Sequence, residues 1–359
     1  MRSVTEVAGE CLDRAGQAAI AAIGISNQRE SVVAWDRGTG KPAGPCIVWQ
    51  CRRTAERCRE LSDGPAAQTI RQLSGLGIDP LFSATKAAWL LRHAQNGVER
   101  ARNGELLIGT VDSWLLWNLT RGALHATDVS NASRTQLMNL SQAAWDRDLL
   151  DVFGIPVACL PEIRLSSGDF GETASGSGIR AGIPIRAAIG DSHAALFGHA
   201  AFHPGTVKAT YGTGSSLMSL TGGVPVSLHG LSSTIAWGRA GAVNYALEGN
   251  ITNSGAALDW MSRLLGRKSA GDIAAMASST PDSGGVYVVP AFAGLGAPHW
   301  DPLARGVIAG LTSASGPEQA ARAALESIAY QVNDVLAAMR KDMRRALPEL
   351  MTDGGASAN

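Results

Sequence analysis

The run Ala187–Ala200, AAIGDSHAALFGHA, constrains the fold more than any other stretch. An apolar segment stops at a glycine, an aspartate, a serine and a histidine follow directly, and the chain resumes with Ala195, Leu196 and His199 at helical spacing. This is the pattern of a strand, a tight turn and a helix, with polar groups gathered at the strand's C-terminal end. In open α/β sheets that edge is where ligands bind. The same alternation recurs along the chain. Residues 18–26 (AAIAAIGIS) read as a buried strand paired with 31–36 (SVVAWD) across the polar NQRE turn. Residues 53–63 and 85–95 read as helices, and 105–119 as a strand entering a helix through Gly-Thr. Two strands about a Gly-Thr-Gly hairpin fit 206–223, a strand fits 285–292, and the longest helix fits 317–343, started by Pro317 and Glu318. The predicted class is α/β, and 359 residues suffice for two domains.

Composition narrows the function classes. Lys+Arg and Asp+Glu are both 31, so the balanced charge argues against nucleic-acid or acidic-membrane partners. Only 17% of residues are charged and 42 are glycine, which suits tight turns around buried sheets. No run approaches the roughly 18 apolar residues of a membrane span. The first residues, MRSVTEVAGECLDRAG, carry acids at helical spacing in place of an apolar signal core. A cytoplasmic protein is expected, and a homo-oligomer is compatible with the sequence. The five cysteines are odd in number without paired CxxC spacing, and the seven histidines form no HExxH cluster, so reduced structural thiols are expected and no zinc site.

Each polar cluster admits a plain reading and a chemical one. Asp191 either caps the helix that follows or acts as a general base at the mouth of a cleft. Arg29 and Glu30 are either a solvated pair or a donor-acceptor couple for a vicinal diol. ATYGTGSSL (209–217) is either a hairpin or a place where bare backbone N–H groups approach a phosphate. DGGASAN (353–359) is either a glycine turn or a surface for a nucleobase or ribose.

Taken in order, these segments resemble the glycerol kinase branch of the FGGY carbohydrate kinases. The matching stretches are IAAIGISNQRESVVAWDRGTGKP, IVWQCRRTAE, GIDPLFSATKAAWLL, GTVDSWLLWNLT, ATDVSNASRT, GDSHAALFG, TYGTGSSL, NYALEGN, VPAFAGLGAPHWDPLARG, LESIAYQ and DGGASAN, from about residue 18 to the last. The resemblance implies a two-domain, actin-like (ribonuclease H-like) ATPase fold. It assigns a polyol-binding domain to 1–198 and a nucleotide-binding domain to 199–359. It implies ATP and Mg²⁺ as cofactors and a small polyol as substrate, with glycerol as the default. Asp191 then matches the catalytic base and a metal-associated position, Arg29 and Glu30 the polyol-binding pair, and Trp49 an aromatic wall. Gly212 and Thr213 match a phosphate-binding turn, Gly255 the adenosine cleft, and Gly355, Ala356 and Asn359 the adenosine motif.

Several positions depart from the family pattern. Val129 stands for a tyrosine, Ser192 for a glutamine and Ser216 for a phenylalanine in the polyol pocket, while Asp259 stands for a glutamine near the base. Loss of apolar walls weakens the grip on a three-carbon substrate by about 1–3 kcal/mol, which makes a longer polyol such as erythritol or a pentitol the rival substrate. His193 either fills part of that space or packs a helix. The family's sugar-bisphosphate regulatory loop falls near 175–184, where the match is poor, so no such regulation is expected. The chain also begins downstream of the family's first D-x-G-T turn and stops inside the adenosine motif. The expectation is therefore a fragment of both domains without activity by itself, and a non-catalytic remnant is the alternative. A second rival is a GDSL-type esterase with Ser192 as nucleophile, but no histidine here has an aspartate three residues before it.

Overall fold

Strand and helix alternate through the chain as the apolar spacing predicts. The computed structural model describes every residue except Gln17, Val226, Ala356, Ala358 and Asn359. In order come α1 (Arg2–Ala15), β1 (Ile23–Asn27), β2 (Val33–Asp36), α2 (Ala55–Ser62), α3 (Ala66–Ser74), α4 (Ser83–His93), α5 (Gly97–Arg102), β3 (Leu106–Gly109) and α6 (Val111–Leu119). Next are β4 (Ala126–Asp128), α7 (Val129–Ala132), β5 (Met138–Asn139), β6 (Ala144–Trp145), α8 (Arg147–Phe153), β7 (Glu162–Arg164), β8 (Ile185–Gly190) and α9 (Asp191–Gly198). The remainder is β9 (Thr206–Tyr211), β10 (Ser215–Leu220), β11 (Ser232–Arg239), β12 (Ala242–Ile251), α10 (Gly255–Leu264), α11 (Ala270–Ala277), β13 (Tyr287–Val289), β14 (Val307–Ala309), α12 (Pro317–Met343) and β15 (Glu349–Asp353). The chain divides into one unit of Met1–Ala194 with Ser233–Tyr245, and another of Ala195–Ser232 with Ala246–Asn359. No helix among the described residues is long and apolar enough to cross a membrane.

In the first unit β1 does not pair with β2 as a hairpin. It runs parallel to β8, from Ile23 opposite Ile185 to Asn27 opposite Gly190, while β2 pairs antiparallel with β3. The reason lies in the NQRE segment. Glu30 adopts φ 58°, and the Ser31 N–H donates to the Arg29 carbonyl at 2.7 Å, a bend too tight to fold two strands against each other. The strand expected from residue 18 starts only at Ile23, because its partner β8 starts at Ile185. Helix α6 covers this pair through Leu116 and Leu119, packed with Ile25, Ile185 and Ala188. A larger cluster of Val32, Ala34, Ile70, Leu90, Ile108, Leu149 and Phe153 joins the other helices to β2 and β3.

In the second unit β9 and β10 form the expected hairpin, β15 adds parallel to β9, and the end of β12 pairs with β10. The C-terminal half of α12 packs Val332, Val335 and Met339 on Val207, Leu217 and Leu247 of these strands. Its N-terminal half meets Leu258 and Met261 of α10 and Ile273 of α11. Helix α12 begins at Pro317, where a missing N–H costs nothing, and the Gln319 side chain accepts the Gly316 N–H at 3.0 Å.

Candidate active site

In the first unit the parallel pairing of β1 and β8 brings their C-terminal ends side by side, and with them Gln28-Arg29-Glu30 and Asp191-Ser192-His193. The Arg29 side chain is 7% exposed. Its Nε donates to Asp191 Oδ1 at 3.2 Å and its guanidinium NH2 to Ser192 Oγ at 3.1 Å. Asp191 Oδ1 also accepts the Ser192 N–H at 2.7 Å, and this side chain stays 55% exposed. One edge of the carboxylate is therefore held while the group faces solvent. Gly190 is what lets Arg29 reach it. A Cβ there would sit 2.6 Å from Arg29 Cδ and 2.9 Å from His193 Nδ1, so any larger residue displaces the guanidinium.

Arg29 and Glu30 are not a solvated pair. Both are buried, and they turn to different partners. Glu30 Oε1 accepts from Arg134 Nε at 2.7 Å, in an ion pair whose side chains are 6% and 0% exposed, and the Glu30 carbonyl accepts from Ser83 Oγ at 3.1 Å. Trp49 is half-buried, and its backbone N–H donates to Ser31 Oγ at 3.2 Å, next to Glu30. Lys86 is fully buried beneath this group. Burial pushes its ammonium down to about 8, opposed by the Glu30 charge. Val129 is 3% exposed in an apolar cluster with Ala132, Met138, Leu140 and Ile235. His193 is buried and its Nε2 lies 3.2 Å from Thr234 Oγ1, so it packs and bonds inside the unit.

Beneath the strand ends lies a polar network that sequence reasoning did not single out. Gly190 N–H donates to Ser130 Oγ at 2.9 Å, and Ser130 Oγ donates to Asp128 Oδ1 at 2.9 Å. Asp128 caps α7 and also accepts from Asn131 Nδ2 and Ser166 Oγ, while Asn131 and Asn27 exchange amide hydrogen bonds. The Gly190–Asp191 turn thus hangs from a buried carboxylate. The available signal was the density of polar residues in ATDVSNASRT, a segment buried from end to end, which is tolerable only if every group finds a partner.

Asp112 touches the same network through the Asp128 N–H and the hydroxyls of Thr110 and Thr127. Burial, with the Asp128 charge beside it, pushes its pKa up to about 6 from the usual 3.8. A raised carboxyl pKa means that the folded state holds the proton more tightly than the unfolded chain. This contribution to stability is present at low pH and is lost as pH rises from about 4 through 6. The urea midpoint of the first unit is expected to fall over that window, and Asp112→Asn should flatten the dependence. An unchanged slope in the variant would assign the titration elsewhere.

In the second unit the β9–β10 turn is clamped onto the start of α10. The Thr213 carbonyl accepts the Ser254 and Ala256 N–H groups at 2.9 and 3.1 Å, and the Gly212 carbonyl accepts that of Gly255 at 3.0 Å. A cavity of about 600 Å³ opens beside this junction. It gathers Gly212, Thr213, Gly255, Asp259 and Gly355, with Leu258, Leu325 and Ile328 as apolar walls. Ala356 and Asn359 lie outside the described residues. At the end of β15, burial raises the Asp353 carboxyl, but hydrogen bonds from Thr210 and His199 and the Lys208 charge outweigh it and hold the pKa below the usual range. Ser216 belongs to this unit, on β10, where its Oγ donates to Glu248 Oε1 at 2.8 Å. A Cβ on Gly255 would lie 2.6 Å from the Gly212 carbonyl oxygen. Gly255→Ala is therefore expected to spread the turn and lower the thermal midpoint of the second unit, read by calorimetric unfolding.

The N-terminal domain model of the FGGY family of carbohydrate kinases matches residues 1–198, and the C-terminal domain model matches 207–359. The chain is 51% identical to a glycerol kinase of Alkaliphilus metalliredigens over 358 residues, covering 98% of this chain and 71% of that protein. It is 53% identical to a glycerol kinase of Symbiobacterium thermophilum over 344 residues, covering 95% and 68%. Among solved structures it resembles Plasmodium falciparum glycerol kinase with ADP, at TM-score 0.90 and 35% identity, over 99% of this chain and 72% of that one. A xylulose kinase from Brucella ovis shares the fold at TM-score 0.85 and 22% identity, over 98% of this chain and 72% of the other. With both domain models matched and relatives more than half identical, the chain belongs to the FGGY family of carbohydrate kinases, ATP-using phosphotransferases of the actin-like two-domain fold.

Proposed function

We propose that the chain transfers the γ-phosphoryl group of ATP to a terminal hydroxyl of a small polyol, with glycerol as the substrate, giving glycerol 3-phosphate and ADP. The observation that carries this reading is the half-exposed Asp191 carboxylate, held on one edge by a buried guanidinium beside the Ser192 hydroxyl. Asp191 takes the proton of the attacking hydroxyl. Arg29 donates to neighbouring polyol oxygens, and Glu30, fixed by Arg134, accepts from a second hydroxyl. In phosphoryl transfer the protein supplies mainly alignment and charge stabilisation, so rigid placement of these groups matters more than any covalent step. The cavity at Gly212, Thr213 and Gly255 takes the nucleotide, with apolar walls for the adenine.

Mg²⁺ belongs to this reading. Among the described residues no group of three or more His, Cys, Asp or Glu side chains could hold a metal ion, and Asp191 offers one carboxylate. That set fits an ion held chiefly by nucleotide phosphates, with Asp191 as its protein contact, and the ion would neutralise charge on the transferred group. The five unpaired cysteines suit a reducing, cytoplasmic compartment.

The case for a longer polyol rests on a widened pocket. With Val129 in an apolar cluster, Ser192 is the widening substitution seen beside Arg29 in the first unit. Glycerol is the better-supported substrate. The esterase reading lacks a base, since Ser192 Oγ bonds Arg29 while His193 Nε2 bonds Thr234. The test is to incubate the protein with ATP, Mg²⁺ and glycerol, erythritol or xylitol, and to assay ADP and the phosphorylated product. Turnover highest with glycerol supports the reading, and a clear preference for a four- or five-carbon polyol overturns the substrate assignment.

A further inference from the structure

A second cavity, of about 610 Å³, lies in the first unit between the turn after β2 and the end of α6. Arg37, Thr39 and the backbone of Gly38 and Gly40 line one side, and Trp117 and Arg121 the other. No lining residue is acidic. Arg37 and Arg121 are both exposed, and among the described residues neither forms an ion pair or a side-chain hydrogen bond. The nearby carboxylate of the turn, Asp36, is already engaged by the Thr39 N–H and hydroxyl and by Arg100 at 2.6 Å.

Two further groups of the wall decide what the cavity offers a ligand. Trp117 is 9% exposed, yet its indole N–H has no hydrogen-bond partner among the described residues. Its Nε1 lies 3.5 Å from where a Cβ would stand on Gly40, a residue of the same cavity. The donor is not among the buried side-chain atoms that lack a partner, so it opens onto the cavity that it lines and can meet an acceptor there. His125, also on the wall, donates from Nε2 to the Ile108 carbonyl at 3.1 Å. Burial and the Arg37 charge push its pKa down to about 4 against that hydrogen bond, so the ring is neutral at pH 7 and the positive field comes from the arginines.

We propose that this cavity binds a small, multiply charged oxyanion, a phosphate ester or a polycarboxylate, between the Arg37 and Arg121 guanidinium groups, with the Trp117 N–H as a third donor. Planar guanidinium forks match such oxygens in pairs, and a neutral indole donor adds direction without more charge. The site is separate from Arg29 and Asp191 and does not depend on which polyol is phosphorylated.

The test titrates the whole chain with inorganic pyrophosphate and, separately, with citrate, by calorimetry at low ionic strength. The same titrations are run on an Arg37→Gln/Arg121→Gln variant and on Trp117→Phe. Because a phosphate probe can also enter the nucleotide cavity, the readout is the component of binding that the double variant loses. At least one probe is expected to bind the parent protein with an affinity that falls tenfold or more in the double variant, and severalfold in Trp117→Phe. Loss for pyrophosphate alone identifies a phosphate ester, and loss for citrate alone a polycarboxylate. Equal affinities in parent and double variant, or no binding of either probe up to millimolar concentration, overturn the proposal. Either single arginine variant, which disturbs the fold least, should lower affinity severalfold and serves if the double variant proves unstable.

Discussion

Replacing Asp191 by asparagine is expected to lower kcat for polyol phosphorylation by about 10²–10⁴-fold, with the KM for ATP nearly unchanged. The amide matches the carboxylate in size, and its oxygen can still accept from Arg29 Nε and the Ser192 N–H, the two bonds that fix the side chain. What it cannot do is take a proton. Stability should barely move, because the side chain is more than half exposed and its ion pair with Arg29 is open to water on one side. The substitution separates the two roles that a lone aspartate at the start of α9 can fill. Asparagine is as good a helix cap as aspartate, so a pure capping role predicts an unchanged kcat. Steady-state kinetics with the variant decides between them, and turnover within threefold of the parent would falsify the assignment of Asp191 as base.

The strand-turn-helix at Gly190–Asp191 was legible because apolar periodicity and a glycine stop are local signals. So were the β9–β10 hairpin and α12, whose length and Pro317 start leave no competing reading. The NQRE segment was misread because strand pairing is not local. Two adjacent apolar runs look like a hairpin, and only the unusual φ of Glu30 sends them to different partners. The site was legible in part for the same reason. Arg29, Glu30 and Asp191 stand at strand ends, where polar residues advertise themselves. Arg134 and Ser130 act through partners 104 and 60 residues away, respectively. A single sequence carries no trace of that pairing beyond an unexplained wealth of polar residues. Val129 shows the opposite pattern. It sits among those polar residues, yet its side chain turns into the apolar cluster under α7.

Arg134→Met is expected to destabilise the first unit by about 3–5 kcal/mol, because it takes the hydrogen-bonded partner from the buried Glu30 carboxylate and leaves only the buried Lys86 ammonium to offset its charge. The pair is made at 2.7 Å with almost no solvent contact on either side chain, and the guanidinium also lies 5.1 Å from the Phe82 ring centroid. Methionine keeps much of the volume, so the loss reports charge more than packing. A second substitution supplies the control. Glu30→Gln in the Arg134→Met background removes the stranded charge and should recover a large part of the stability, as replacing both members of a buried pair commonly does. Polyol binding should not recover with it. Glutamine still offers one acceptor oxygen, but it has neither the carboxylate's charge nor the guanidinium that held it in place, so the KM for glycerol should stay raised in the double variant. Urea unfolding and KM measured on the same three proteins separate the two roles. If stability and KM recovered together, the Glu30–Arg134 pair would be a packing element alone, and the second polyol hydroxyl would need another acceptor.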